Sequence, residues 1–162
     1  MITLEDREAR FASLADACLE PVRRYLARRA DAATAEDVLA DVLLVCWRRL
    51  DEVPADAALP WAIGVARNQL RNAQRGVRRQ ERAAARLADE QRVAGGSPDV
   101  SALRDALGAL RPADAELLRL WAWEGLQPAD LAVALGISPN AAAIRLHRAK
   151  RRLADELGRT GP

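Results

Sequence analysis

Residues Gln127 to Leu153 read QPADLAVALGISPNAAAIRLHRAKRRL, and this stretch decides the fold of the second half of the chain. Pro128 suits the first turn of a helix, where its missing N–H has no intrahelical partner to lose. Leu131, Ala132 and Leu135 follow at helical spacing. Gly136 can take the left-handed conformation that ends a helix, and Ile137 is an apolar residue placed to plug the corner. Ser138 is an N-cap residue with Pro139 at the first helical position behind it. A second helix then buries Ala142, Leu146, Ala149, Leu153 and Leu157, spaced 4, 3, 4 and 4. A short helix, a glycine turn and a longer helix form the helix-turn-helix pattern.

The other face of that second helix decides its use. At about 100° per residue, Asn140, Ala141, Ile144, His147, Arg148 and Arg151 lie opposite the apolar stripe, with Arg145 and Arg152 on one flank and Lys150 on the other. From Ser138 to Leu153 there are five basic residues and no acidic one. Such a face suits a phosphate-lined groove, because bound arginines release the counterions condensed on DNA. A merely solvated basic face would not need the Gly136–Ser138 corner. Duplex DNA is the expected partner.

Composition points the same way. Half of the 162 residues are apolar but only 4% are aromatic. Runs of alternating β-branched residues are absent, so the expected class is all-α, with two small helical domains joined by a flexible linker. The net charge of +2 hides a segregation. Asp31 to Pro60 carries seven acids against Arg48 and Arg49, whereas Pro60 to Arg86 carries seven arginines against Glu81. Two surfaces with different partners follow from this, the basic one facing nucleic acid. Cys18 and Cys46 match no metal or redox spacing and are expected as small buried residues in a reducing compartment. With no signal peptide and no long apolar run, the protein is expected to be soluble and cytoplasmic, without membrane insertion.

Along the chain, Leu4 to Arg29 reads as one or two amphipathic helices, with Pro21 a kink or break. Thr34 is the expected N-cap of the next helix, Ala35 to Leu50, with Asp37 in a capping-box role. That helix has more apolar residues than one buried stripe needs, which suits either a central core helix or one that also serves a partner. Asp51 to Pro60 is a loop by its prolines and acids, and a basic helix runs from Trp61 to about Arg79. Its buried side is Trp61, Ile63, Val65, Ala66 and Leu70, and its polar side Arg67, Asn68, Arg71, Asn72 and Arg75. Residues 1–80 thus form one domain, 81–100 a charged, Ala-rich linker ending in GGSPDV, and 101–162 the helix-turn-helix domain.

Together these residues resemble the extracytoplasmic-function group of sigma factors, in the sigma-70 family of promoter-recognition subunits of bacterial RNA polymerase. LRPADAELLRLWAWEGLQPADLAVALGISPNAAAIRLHRAKRRL is similar to the family's region 4, a winged-helix-like helix-turn-helix without the wing. EDVLADVLLVCWRRLDEV resembles the polymerase-binding helix of region 2, and PWAIGVARNQLRNAQRGVRR its basic promoter helix. The resemblance runs from about Phe11 to Leu157, in the family's order. It implies a promoter-specificity subunit that binds polymerase core, recognises two promoter boxes and helps to open the DNA. Asp37, Val38, Asp41 and Trp47 would dock on the polymerase. Asp51 to Trp61 would accept a base turned out of the stack. Trp61, Arg67, Asn68, Arg71 and Arg75 would meet the proximal box and the opened strand. Asn140, Ala141, Ile144, Arg145, His147, Arg148 and Arg151 would meet the distal box. The resemblance leaves room for an anti-sigma factor as a further partner; the free protein is expected to be monomeric, and the chain, ending soon after the last helix, is expected to carry no appended regulatory domain.

Four positions depart from the family pattern. Ala40 stands where a Gln is common, and Ala141 to Ala143 replace a Thr-Val-Lys-like run. Few base hydrogen bonds are therefore expected from the recognition helix, and promoter choice should lean on phosphate contacts, groove shape and region 2.

Rival readings fit less of the chain. A stand-alone helix-turn-helix regulator needs neither the acidic helix nor the basic one after it, and an adaptor that binds polymerase without starting transcription needs no promoter contacts. Trp47 and Trp121 read as core residues, while Trp61 is open to a stacking role. His147 has no Cys or His partner, so no metal is expected. No nucleophile–base pair or phosphate loop stands out, so neither an enzyme nor a cofactor is expected.

Overall fold

The computed structural model describes residues 3–84 and 98–160, which form seven α-helices and one 3-10 turn. The helices belong to two compact units. The first is built on α1 (Leu4–Ala27), α2 (Ala32–Arg48) and α3 (Ala58–Ala84). The second is built on α4 (Pro98–Ala109), α5 (Pro112–Trp123) and α7 (Pro139–Thr160), with α6 (Pro128–Leu135) leading into α7. The linker expected over 81–100 falls mostly on residues 85–97, outside the described residues. Its two ends are helical, in the last turn of α3 and the first of α4.

α1 opens with a reciprocal capping box: the Thr3 hydroxyl accepts from the Asp6 N–H at 3.1 Å, and the Asp6 carboxylate accepts from the Thr3 N–H at 3.0 Å. The helix does not break at Pro21. It runs on to Ala27 because Val22, Tyr25 and Leu26 are all buried in the turn and a half that follows, which outweighs one missing backbone bond. α2 begins one turn earlier than expected. Asp31, not Thr34, is its N-cap, accepting from the Thr34 N–H at 2.9 Å and from the Thr34 hydroxyl at 2.7 Å. Asp37 therefore has no capping role.

After α2 the chain makes a 3-10 turn over Leu50–Glu52, and α1 reaches across to hold it. Arg7 and Arg10 both pair with Asp51, at 3.3 and 2.9 Å. Arg7 also donates to the Trp47 carbonyl at 2.7 Å, satisfying a backbone acceptor at the end of α2. The core of this unit comes from Leu14, Cys18 and Val22 of α1, Leu39, Val42 and Cys46 of α2, and Ile63, Ala66 and Leu70 of α3. Both cysteines are free and buried. Burial, and after it the neighbouring Cys18, pushes the Cys46 thiol up to about 11, so at neutral pH it packs as an apolar group.

The second unit buries Ala115, Leu117, Leu118 and Leu120 of α5 against its neighbours. Gly125, at φ 68°, turns the chain so that the Leu126 N–H donates to the Leu120 carbonyl. α6 ends as its sequence suggests. Gly136 sits at φ 65°, its N–H donates to the Val133 carbonyl, and the Ile137 N–H donates to the Ala132 carbonyl at 3.0 Å, the two bonds of a Schellman cap.

Four exposed carboxylates are held below their ordinary values: Asp6 by Thr3, Asp31 by Thr34, Asp51 first by Arg10, and Glu52 by Arg49. A depressed pKa contributes stability that is complete above the ordinary value, 3.8 for Asp and 4.5 for Glu, and is lost as pH falls through the lower folded value. Melting temperature is therefore expected to stay flat from these groups between pH 7 and 5 and to fall below about pH 4.5. In Asp51→Asn the fall should be shallower, as thermal melts at stepped pH will show.

Candidate nucleic-acid interface

The recognition helix is set by its cap. Ser138 accepts from the Ala141 N–H at 3.1 Å, and Pro139 follows as the first residue of α7. Ala142, Leu146 and Ala149 are buried, which points Asn140, Ile144, Arg145, His147, Arg148 and Arg151 outward, all exposed. Ala141 is half-buried, so Ala143 takes its place on the open face. Leu153 is half-buried and Leu157, at 38% exposure, has left the core stripe.

The flanks of this face are not open. The ammonium of Lys150 sits 3.6 Å from the centre of the Trp121 ring, and Arg152 pairs with Asp114 at 2.5 Å. Both contacts run to α5 and fix α7 on it. The free basic ridge is thus Arg145, Arg148 and Arg151, spaced three and three along about 9 Å of helix. The alanine before them gives no hydrogen-bonding group, and Ile144, 43% exposed, is the one large apolar side chain among them.

On α3 the buried side is Ala62, Ile63, Val65, Ala66 and Leu70. Asn68, Arg71 and Arg75 are exposed. Arg67 is half-buried, and its Nε is closed off from solvent without a hydrogen-bond partner among the described residues. Trp61 is half-buried at the head of the helix, with the Arg49 guanidinium 5.5 Å above its ring. The segment before it is shorter than the sequence suggests, because the 3-10 turn takes Leu50–Glu52 and α3 starts at Ala58.

The acidic face of α2 needs a correction. Asp37 and Asp41 are exposed, but Val38 is only 2% exposed and belongs to the core. Trp47 packs edge-on against Phe11, with ring centres 5.3 Å apart, under the Arg7 guanidinium. The outward strip is instead Asp37, Ala40, Asp41 and Leu44, which share an arc of about 100°. Leu44, 45% exposed, went unnoticed because the sequence gives α2 so many apolar residues that the outward one does not stand apart.

Known proteins match this arrangement. Residues 101–153 match the family described as sigma-70, region 4. The RNA polymerase sigma factor CarQ of Myxococcus xanthus is 35% identical over 145 residues, spanning 85% of this chain and 83% of CarQ. The sigma factor RpoE of Bartonella quintana, solved with the anti-sigma factor NepR, shares the fold at a TM-score of 0.62 and 21% identity, covering 96% of this chain and 98% of RpoE. CnrH, solved with the cytosolic domain of CnrY, also gives a TM-score of 0.62, at 23% identity over 93% of this chain and 89% of CnrH.

Proposed function

The chain belongs to the RNA polymerase sigma factors, in the extracytoplasmic-function group of the sigma-70 family, and from that premise we propose how its surfaces divide the work. The protein is a cytoplasmic promoter-specificity subunit: it binds polymerase core, recognises the two promoter boxes and helps to open the DNA. The chemistry of RNA synthesis belongs to the polymerase. The acidic strip of α2 docks on the core, α3 meets the proximal box and the opened strand, and α7 lies in the major groove of the distal box. Each of the two helical units is a domain with its own DNA contact. RpoE is held by an anti-sigma factor, and this chain is assigned a partner of that kind.

The observation that carries the reading is the segregation of exposed charge by helix, acids on α2 and arginines on α3 and, in the other unit, on α7, without a counter-charge from the fold at Asp37, Asp41, Arg71, Arg75 or Arg148 among the described residues. Charges left unpaired on a folded surface cost nothing to solvate, and they steer and register an oppositely charged partner.

The test is run-off transcription from a promoter bound by the reconstituted holoenzyme, where no transcript would remove the proposal. Within it, Arg148→Ala should weaken promoter binding broadly across sequences. The slope of log affinity against log salt should shrink by about 0.9, the signature of one lost phosphate contact. An unchanged slope would take Arg148 off the phosphates.

A further inference from the structure

Arg7 and Arg10, neighbours on one face of α1, converge on the joint where α2 ends and the chain sets out for α3. Each guanidinium bridges two acceptors. Arg7 donates to one Asp51 carboxylate oxygen at 3.3 Å and to the Trp47 carbonyl at 2.7 Å. Arg10 donates to the other Asp51 oxygen at 2.9 Å and to the Leu50 carbonyl at 3.3 Å. The next residue, Glu52, accepts from the Arg49 Nε at 3.0 Å, and that same guanidinium lies over the ring of Trp61 at the head of α3. A line of contacts thus runs from α1 through the joint to Trp61. No residue from Val53 to Ala57 is fully buried, so packing does little to place the segment between joint and helix. Its position is set from its ends. Asp51 is 64% exposed and Arg10 44%, and ion pairs so open to water add little to stability. Four bonds from two planar groups do something else: they fix the orientation of the turn they grip.

We propose that Arg7 and Arg10 are positioning residues for promoter opening: their latch on Asp51 holds the joint between the docking helix and the DNA helix, and through it the Trp61 ring, in the pose that meets the opened strand. The inference rests on the reading of α3 as the helix that meets that strand. The latch grips the end of the same α2 whose outward strip docks on polymerase, so a docked subunit presents its joint already in place. A joint free to move would have to be ordered each time a strand is captured, and that cost falls on opening. Duplex binding is spared, because α3 is held in the unit by its own buried side, Ile63, Ala66 and Leu70, and its arginines keep their place without the latch.

The experiment compares holoenzymes carrying the wild-type chain, R7Q/R10Q, D51A or R7Q/R10Q/D51A on one promoter. Opening is read as permanganate attack on unpaired thymines at saturating holoenzyme, and duplex binding is read in the cold, before the strands part. R7Q/R10Q and D51A should each open the promoter about tenfold more slowly. Both should hold core and duplex promoter as wild type does, with helix content unchanged by circular dichroism. Because the arginines act through Asp51, the triple variant should open no more slowly than the slower of its two parents. Opening at the wild-type rate by R7Q/R10Q or by D51A would overturn the proposal. So would losses that multiply in the triple variant, or a loss of core and duplex binding in step with opening, which would leave the latch a brace for the fold. D51A changes an exposed side chain and runs the test without touching α1. R71Q keeps the two readings apart: if it slows opening while R7Q/R10Q does not, only the latch is lost, and if neither does, the reading of α3 falls with it.

Discussion

Replacing Asp37 and Asp41 together by arginine abolishes association with polymerase core, on the reading given above, while leaving the helix content of the chain unchanged. Both carboxylates are exposed on α2, and among the described residues neither makes an ion pair or cap, so reversing them removes no contact seen there. The partner surface would now meet two positive charges where it met two negative ones. Like charges brought together at an interface cost several kcal/mol, and about 4 kcal/mol turns nanomolar binding into micromolar and micromolar into millimolar, too weak to survive co-purification. Co-purification with core, set beside circular dichroism, reads the result. Retention of core by the double variant would move the docking site elsewhere. Leu44→Asp, which spoils the apolar centre of the same strip, should weaken binding in step.

Leu120→Ala is expected to cost about 2–5 kcal/mol, because Leu120 is fully buried in α5 and its loss leaves a cavity where α5 supports α7. In a helical unit of this size each kcal/mol lowers the melting point by about 4–8 °C, so the transition of the second unit should fall by about 8 °C or more while that of the first stays in place. Trp121 and Trp123 lie in the second unit, and Trp47 and Trp61 in the first. Variants that keep one pair only would assign each fluorescence transition. A single transition shifted as a whole would show that the two units unfold together, against their proposal as separate domains.

How much of this was legible depended on how local the deciding interactions are. The Gly136 corner, the Ser138 cap and the buried stripe of α7 are set by residues within a turn of one another, so sequence spacing was enough to find them. The start of α2 was missed because Asp31 and Thr34 are both good caps, and only the geometry decides which hydroxyl or carboxylate points at the free N–H groups. Val38 was misplaced for a different reason. It lies next to Asp37 in sequence but about 100° around the helix, and a helix rich in apolar residues does not declare which of them face out. Lys150 and Arg152 were counted as open because their partners, Trp121 and Asp114, are 29 and 38 residues away along the chain. α3 also extends past the expected Arg79, to Ala84.

The stacking of Lys150 on Trp121 has a practical corollary, because Lys150 is the only lysine among 25 basic residues. A lysine-specific protease therefore has one peptide bond to cut, between Lys150 and Arg151, in the middle of α7. Helical backbone resists such enzymes until it opens, so the rate of that single cut measures how often α7 comes undone, free or on DNA.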